Sequence, residues 1–394
     1  MASCRMSNFD CVIVGGGMVG AACALSLSQL GLKVAVVEKH PAKPFSAEQE
    51  FDLRVSAISL GSEHLLTQLD AWSNILEWRS CPYRRLAVWE TEQIETEFSA
   101  QEISQTHLGH IVENRLIQLS LWQKLATQVN VTLLCPEEVN EISQTKTSVT
   151  VKLNQSSIST KLLIAADGAN SSVRQMSGIG ISGWDYKQSA MLINVATAKP
   201  QQDITWQQYY PTGPVAMLPM PGNNASLVWY HDRDEIKKLS LLSNNKLREA
   251  INNHFPARLG EIEVKAKGAF PLTRRHANSY QNNRIILIGD AAHTINPMAG
   301  QGVNLGFKDV KALQTVIADA IGNGESWSEP LILARYERLR RNDNLLMMST
   351  MDMLYKGFSH PSPFIKLVRN LGLKAANNFP IVKSKALAYA CGLS

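Results

Sequence analysis

The stretch Asp10-Cys-Val-Ile-Val-Gly-Gly-Gly-Met-Val-Gly20 constrains this chain more than any other. Cys11 to Val14 is a short, β-branched apolar run that stops at glycines, the pattern of a buried strand. Gly15, Gly17 and Gly20 fall at the three glycine positions of G-x-G-x-x-G. Ala21 to Leu30 then has helical apolar spacing and ends at Gly31, a natural C-cap. Gly15 permits the tight turn, Gly17 lets a pyrophosphate approach the backbone, and Gly20 lets the helix pack closely on the strand. The helix N-terminus offers free N–H groups and roughly half a positive charge to phosphates. Lys33 to Val37 predicts a second strand ending in Glu38, about 20 residues downstream, where a carboxylate can accept from ribose hydroxyls. A dinucleotide site follows. Glu38 suits an unphosphorylated adenosine ribose, so FAD or NAD rather than NADP, and this stretch alone does not separate those two.

The 394 residues suffice for two ordinary domains or one large two-part fold, and 45% apolar with 19% charged residues supplies a full core. Six cysteines (Cys4, Cys11, Cys23, Cys81, Cys135, Cys391) form no C-x-x-C pair and no metal spacing, so free thiols in a reducing cytoplasm and no metal site are expected. No signal-peptide pattern precedes the glycines, and Met6 is a second candidate start, since the first strand is expected only from Asp10. No window approaches the roughly 18 uninterrupted apolar residues of a membrane span. The net charge of +5 is unevenly placed. Lys356, Lys366, Arg369, Lys374, Lys383 and Lys385 lie after residue 352 with no Asp or Glu among them, leaving the rest with 33 Lys+Arg against 34 Asp+Glu. Nucleic acid is not an expected partner.

Further along, Asp52-Leu-Arg54-Val-Ser-Ala-Ile-Ser59 precedes an expected helix from Gly61 to Leu69. Arg54 reads either as a surface ion-pair residue or as a second clamp on the pyrophosphate, for which a planar guanidinium is suited. Alternation from Arg84 to Ala100 predicts two antiparallel strands, and a helix is expected over Arg115 to Val129. Arg115, at its start, either faces cofactor or is an exposed first-turn arginine. Strands are expected at Val131 to Cys135, Ser148 to Leu153 and Ile158 to Leu163. The last of these delivers Asp167-Gly168-Ala-Asn-Ser171-Ser-Val-Arg174, polar groups at the carboxyl edge of a strand, where open α/β sheets bind ligands. From 184 to 270, Trp206, Tyr209, Tyr210, Trp229 and Tyr230 in alternating context predict an antiparallel sheet with an insertion. Its aromatics serve either as core or as a wall for a flat ligand.

Arg284-Ile-Ile-Leu-Ile-Gly289-Asp290-Ala-Ala-His293 and then Pro297-Met-Ala-Gly300-Gln-Gly302-Val303-Asn304-Leu-Gly306 decide the cofactor in favour of FAD. Asp290 at a strand end can hold a sugar-alcohol hydroxyl. The glycine-rich stretch can lay backbone N–H groups against a ring carbonyl at a helix N-terminus, the helix being expected over Asp309 to Ile321. His293 reads as a loop or capping histidine rather than a base.

G-x-G-x-x-G with Glu38, Asp167-Gly168, and Gly289-Asp290 with Pro297 to Gly306 resemble, in this order, the single-component class A flavin aromatic hydroxylases of the para-hydroxybenzoate hydroxylase type. Pro82-Tyr-Arg-Arg-Leu, Trp206-Gln-Gln, Ala269-Phe-Pro-Leu-Thr-Arg-Arg-His276 and Gly289-Asp-Ala-Ala-His-Thr-Ile-Asn-Pro are similar, within that group, to the ubiquinone-biosynthesis hydroxylases, nearly end to end. The resemblance implies an α/β fold: a Rossmann-like FAD-binding domain with an inserted antiparallel β-sheet substrate domain and a C-terminal helical tail. The expected division is FAD-binding over 1–80, 111–183 and 271–345, substrate-domain strands over 81–110 and 184–270, and a basic helical region over 346–394.

It also implies an FAD monooxygenase hydroxylating a polyprenyl benzoquinol of the demethoxyubiquinol kind with O2, through a flavin C4a-hydroperoxide. By family match Gly15, Gly17, Gly20 and Glu38 hold the ADP half, with Arg54 near the pyrophosphate. Asp167 is linked to FAD and reduced nicotinamide, and Asp290 to the ribityl or pyrophosphate region. Gly302, Val303 and Asn304 offer backbone contacts to the isoalloxazine edge. Pro297 borders the flavin's reactive face, and no side chain is assigned as catalytic. With no second Rossmann fingerprint, the electron donor is either NAD(P)H binding transiently or a separate reductase. The basic tail, with Ile365, Leu367, Val368 and Leu371 among its cations, is expected to hold the chain on the anionic face of the inner membrane, other proteins of the pathway being possible partners. Three alternatives stay open: another ring position, a flavin reductase or dehydrogenase of a prenyl or quinone substrate, and a non-catalytic prenyl-lipid carrier.

Overall fold

The computed structural model describes residues 7–91, 94–296, 300, 302–359 and 380–393. Its first sheet grows from β1 (Ser7–Val14), helix α1 (Met18–Ser28) and β2 (Val34–Val37). β8 (Val131–Leu134), β9 (Glu141–Gln144), β10 (Val149–Lys152), β11 (Ser157–Ala165), β17 (Gln281–Asn282) and β18 (Ile285–Leu287) complete it. The order is β17-β18-β11-β1-β2-β8, with β10 and β9 continuing from β11. The four central pairings are parallel. Strands covered on both faces must be apolar at every position, and Cys11–Ile13, Val34–Val36 and Leu162–Ala165 are fully buried. α1 is buried almost all round because α4 (Asn114–Leu125) and α8 (Gly302–Gly322) both pack on it.

The second sheet contains β5 (Arg85–Trp89), β6 (Glu95–Ser99), β12 (Ile181–Thr197), β13 (Ile204–Gln208), β14 (Val215–Met220), β15 (Asn224–Asp232), β16 (Ile262–Ala277) and β19 (His293–Thr294). Its order is β19-β16-β12-β15-β14-β13-β5-β6. Side chains alternate between faces. Met191, Ile193, Val195, Trp206, Leu227 and Trp229 turn outward beneath α6 (Arg233–Leu241) and α7 (Asn244–His254). Ala190, Ala216, Val228, Tyr230 and Leu272 lie on the inner face, with Val88, Leu192, Leu218 and Phe270 beside them. The expected aromatic sheet is therefore divided, with Trp206 and Trp229 in the outer core and Tyr209 and Tyr230 on the inner face. The helices α6 and α7 occupy the place of the expected insertion.

A third sheet, absent from the sequence reading, links the two. β3 (Val55–Ser59) pairs with β7 (Gly109–Glu113), which pairs with β4 (Cys81–Tyr83). α2 (Leu60–Gln68) and α3 (Trp72–Trp78) follow β3. Four of the expected boundaries fall inside continuous elements: 110/111 in β7, 183/184 in β12, 270/271 in β16 and 345/346 in α9 (Pro330–Ser359).

The C-terminal helix (Pro380–Ala390) packs Leu387 and the following Cys391 against Leu60, Ala100 and Leu108. Gly61 N–H donates to the Cys391 carbonyl at 2.9 Å, Tyr389 donates to Asp343 at 2.9 Å, and Lys383 pairs with Glu102 at 2.8 Å. One of the tail's cations is thus committed to an internal ion pair. The apolar-cationic stretch 363–374 lies outside the described residues. Among the described residues no helix is long and apolar enough to cross a membrane.

Candidate functional site

Three turns converge at the carboxyl edge of the first sheet. After β1 the chain turns through Gly15 at φ +103°, and its N–H donates to the Val37 carbonyl at 2.8 Å. A Cβ at Gly15 would sit 2.4 Å from the Ala166 carbonyl oxygen, and one at Gly20 would sit 1.9 Å from the Gly15 oxygen. Neither position admits a side chain. Gly17 differs, since nothing lies within 4 Å of where its Cβ would be, and no side chain caps the helix it begins. The first-turn N–H groups of α1 therefore open onto free space, which is what a pyrophosphate needs.

Glu38 stands at the end of β2, its Oε2 accepting from Gly16 N–H at 2.6 Å and its Oε1 from His40 N–H at 2.9 Å. The Gly16 carbonyl accepts from Gln118 Nε2 at 2.9 Å and from Trp122 Nε1 at 2.6 Å. These two donors on α4 fix the turn and were missed in the sequence, although the spacing 115, 118, 122 places all three side chains on one helix face. Arg115 does not point into open space. It forks onto Asp52 at 2.7 and 3.0 Å and donates to the Pro44 carbonyl at 2.7 Å, drawing the 43–52 loop over the turn. Arg54 is exposed next to that loop.

The second and third turns are tied to each other. Asp167 Oδ2 accepts from Val173 N–H at 3.1 Å and Ser172 Oγ at 3.2 Å, while Ser171 caps α5 (Ser172–Met176) by accepting from Arg174 N–H at 2.9 Å. Asp167 Oδ1 is buried without a partner, an acceptor left for a ligand's donor. Arg174 then donates to the Ala291 carbonyl at 2.9 Å and the Ala169 carbonyl at 3.1 Å, joining the Asp167-Gly168 turn to the Gly289-Asp290 turn. Asp290 opens to solvent on one side. Protein packed round its other sides raises its carboxyl above the usual carboxylate value, with His293 and Arg54 opposing that rise.

Gly302, Val303 and Asn304 are the first three residues of α8, so their N–H groups have no partner within the helix. The Asn304 side chain is fully engaged. It donates to the Ala57 carbonyl at 2.8 Å and accepts from Ser59 N–H at 3.1 Å and Ser62 Oγ at 2.7 Å, which locks the start of α8 to β3 and α2. Only its backbone is free for a ligand. Pro297 lies outside the described residues, as do Met298, Ala299 and Gln301.

His293 corrects the expectation of a loop or capping residue. It is fully buried, and its Nε2 meets Asp309 Oδ2 at 2.5 Å. The same carboxylate accepts from Gly289 N–H at 2.9 Å, Arg340 Nε at 2.8 Å and Asn344 Nδ2 at 3.1 Å. Burial alone would raise the Asp309 carboxyl, but His293 and Arg340 outweigh it and hold it down at about 2. Glu63, His107 and His110 also come together, with ligand-capable atoms within 4.8 Å of one another, although no metal set was expected. The Glu63 carboxylate already bonds both imidazoles, at 2.9 and 2.6 Å.

Residues 8–348 match the FAD binding domain family. The chain is 46% identical to the 3-demethoxyubiquinol 3-hydroxylase of Escherichia coli K12 over 98% of each chain. The chain belongs to the FAD-dependent monooxygenases of the ubiquinone-hydroxylase family. FAD is its cofactor. It is also 33% identical to the ubiquinone hydroxylase UbiL of Rhodospirillum rubrum, covering 97% of this chain and 89% of that one. Against the Homo sapiens ubiquinone biosynthesis monooxygenase COQ6 the identity is 31%, covering 97% and 92%. Among solved structures, p-nitrophenol 4-monooxygenase PnpA from Pseudomonas putida DLL-E4 superposes with a TM-score of 0.79 at 21% identity, over 97% of both chains, and shares the fold. The expected α/β flavin-hydroxylase architecture with its C-terminal helix is the observed one. The open first turn of α1, the orphaned Asp167 Oδ1 and the uncapped start of α8 fit FAD laid along this edge.

Beneath the cofactor edge, His276 lies beside His293 in the β16/β19 pair and meets the Tyr280 hydroxyl at 3.1 Å. Burial, with Arg341, His293 and Arg274 adding to it, lowers its pKa from 6.5 to about 4. The unfolded chain therefore takes up this proton first, so stability falls as pH drops from 6.5 to 4, by about 3 kcal/mol in total. His276→Gln should flatten the melting temperature of the FAD-loaded protein across that window relative to wild type. Identical slopes would show that His276 does not carry this dependence.

Proposed function

We propose that this enzyme hydroxylates the ring of a polyprenyl benzoquinol, 3-demethoxyubiquinol, with O2 in aerobic ubiquinone biosynthesis. The observation that carries the reading is the 46% identity over 98% of both chains, because it spans the second sheet and the C-terminal helix as well as the dinucleotide half. The inner face of the second sheet supports it. Val88, Leu192, Leu218 and Phe270 present an apolar surface suited to a greasy ring and its chain. When bound and reduced, FAD activates O2 and supplies the electrophilic oxygen, so the protein's share is orientation, dryness and electrostatics. A quinol is already electron-rich, and no strong base is required of the protein.

Gly15, Gly17 and Gly20 are assigned to the pyrophosphate turn, Glu38 to the adenosine ribose, and Asp290 to the ribityl or pyrophosphate region. Gly302, Val303 and Asn304 offer backbone N–H groups to the isoalloxazine edge, Asp167 contacts FAD or the nicotinamide donor, and Pro297 borders the flavin's reactive face. Arg115 acts through Asp52 and the 43–52 loop. Arg54 clamps the pyrophosphate. The electron donor is NAD(P)H or a separate reductase. The division into FAD-binding segments and a substrate sheet is kept, with β12 and β16 shared across it. We place the enzyme in the cytoplasm on the inner-membrane surface, where the lipid substrate resides and other pathway proteins can meet it. The acid-free stretch after residue 352 supports this, each Lys or Arg near an anionic surface contributing on the order of 1 kcal/mol.

Arg54→Ala should release FAD at lower dilution than wild type while the apoprotein keeps its melting temperature; unchanged flavin retention would remove the clamp. Replacing Lys366, Arg369 and Lys374 together by Glu should abolish co-sedimentation with anionic liposomes and leave the C-terminal helix docked, and undiminished binding would overturn the membrane reading. For the reaction itself, quinones extracted from aerobic cells lacking the protein should show the demethoxy intermediate, cured by re-expression. A less substituted intermediate would move the ring position, and an unchanged profile would sink the pathway assignment.

A further inference from the structure

We infer that Gln207 holds a ring hydroxyl of the quinol, orienting the ring for hydroxylation. The inference rests on the proposed quinol substrate and adds to it a residue that reads the substrate's polar edge.

Gln207 lies on β13, between Trp206 and Gln208. Trp206 belongs to the outer core, so strand alternation turns Gln207 the other way. Its cross-strand neighbours agree, since it pairs with Val88 on β5 and Ala216 on β14, both on the inner face. The residue is 9% exposed, and its Nε2 is buried with no hydrogen-bond partner. A buried amide nitrogen without an acceptor is costly unless a ligand supplies one. Turning the amide over exchanges its nitrogen and oxygen, and a phenolic hydroxyl both donates and accepts, so it satisfies either orientation.

The surroundings say which ligand group fits. Val88 and Ala216 flank the amide, and Leu192, Leu218 and Phe270 extend the same apolar face. That face abuts β3, which Asn304 ties to the start of α8. Leu218, Val55 and Ala57 pack against one cluster built on Ile111 and Met220, and the Ala57 carbonyl accepts from Asn304. A quinol entering there buries two hydroxyls in an apolar setting, and each needs a partner.

Other unpaired polar atoms serve less well. Trp89 Nε1, Trp229 Nε1 and Gln208 Oε1 belong to the outer side, as does His254 Nε2 at the end of α7, stacked on Trp229. Asn194 and Ser226 share the inner face but stand directly opposite each other in the register, and Asn194 already donates to the Phe51 and Asp52 carbonyls at 3.1 and 3.2 Å. A side-chain rotation lets those two satisfy each other. Directly opposite Gln207 stand Val88 and Ala216, neither of which carries a side-chain hydrogen-bonding group.

The test uses FAD-loaded enzyme and three short-chain probes: the demethoxyubiquinol and the two phenols that each lack one of its ring hydroxyls. Binding is read from the perturbation of the flavin spectrum, and turnover from hydroxylated product. Gln207→Leu should bind the quinol about three- to ten-fold more weakly. One of the phenols should bind wild type and variant alike, identifying the hydroxyl that Gln207 holds. Melting temperature should hold or rise, because no intramolecular hydrogen bond is lost. Should the leucine variant fail to fold, Gln207→Met serves in its place. Unchanged quinol affinity, or equal weakening of the quinol and both phenols, would overturn the inference. Failure of wild type to hydroxylate the quinol would overturn the substrate reading, and the inference with it.

Discussion

Asp309 is one carboxylate, wholly buried, on which four segments meet. It receives the Gly289 N–H from the turn after β18, the His293 imidazole from β19, and the Arg340 guanidinium and Asn344 amide from α9. An uncompensated charge in that position would cost several kcal/mol. With all four donors in place, it instead fixes the Gly289-Asp290 turn against the helix whose N-terminus opens on the cofactor edge. The outer donors are braced in turn: Arg340 also bonds Asp343, and Asp343 accepts from Tyr389 of the C-terminal helix. The C-terminal helix is therefore connected, through Asp343, Arg340 and Asp309, to the Gly289-Asp290 turn.

Local chemistry was legible in the sequence, and long-range chemistry was not. The first turn could be read because strand, glycines, helix and acid lie within thirty residues and each has its own steric reason, which the blocked Cβ positions at Gly15 and Gly20 bear out. The Asp309 node could not be read in the same way. Its partners lie 16 and 31 residues away, and an Asp inside an amphipathic helix looks like any solvated residue. His293 was misread for the same reason, since nothing near it in sequence announces a buried counter-charge. β3 was passed over because its partner, β7, comes some fifty residues later, and five residues ahead of a helix look like a loop until the pairing is known.

The faces of the second sheet make a related point. Alternation showed strands, but not which face would be covered by helices and which by the cofactor half. α6 and α7 settle that by burying the side that carries Trp206 and Trp229. Aromatics that looked equivalent on paper thus divide between holding the sheet together and lining its inner side. Trp206-Gln-Gln carried part of the family likeness, but the face that Gln207 turns to becomes clear only once its two neighbours in the ladder are known.

β12 and β16 run unbroken from the cofactor half into the second sheet, so no flexible linker separates the two. Such a roof behaves as a cantilever and cannot swing as a door. Any widening beneath it has to be bending, concentrated where the ladder between these strands is already interrupted, between Asp185 and Ser189 and between Asn194 and Val195. The compliance of this sheet is then set by two breaks in its ladder, whose stiffness governs how far the roof yields while the cofactor edge stays still.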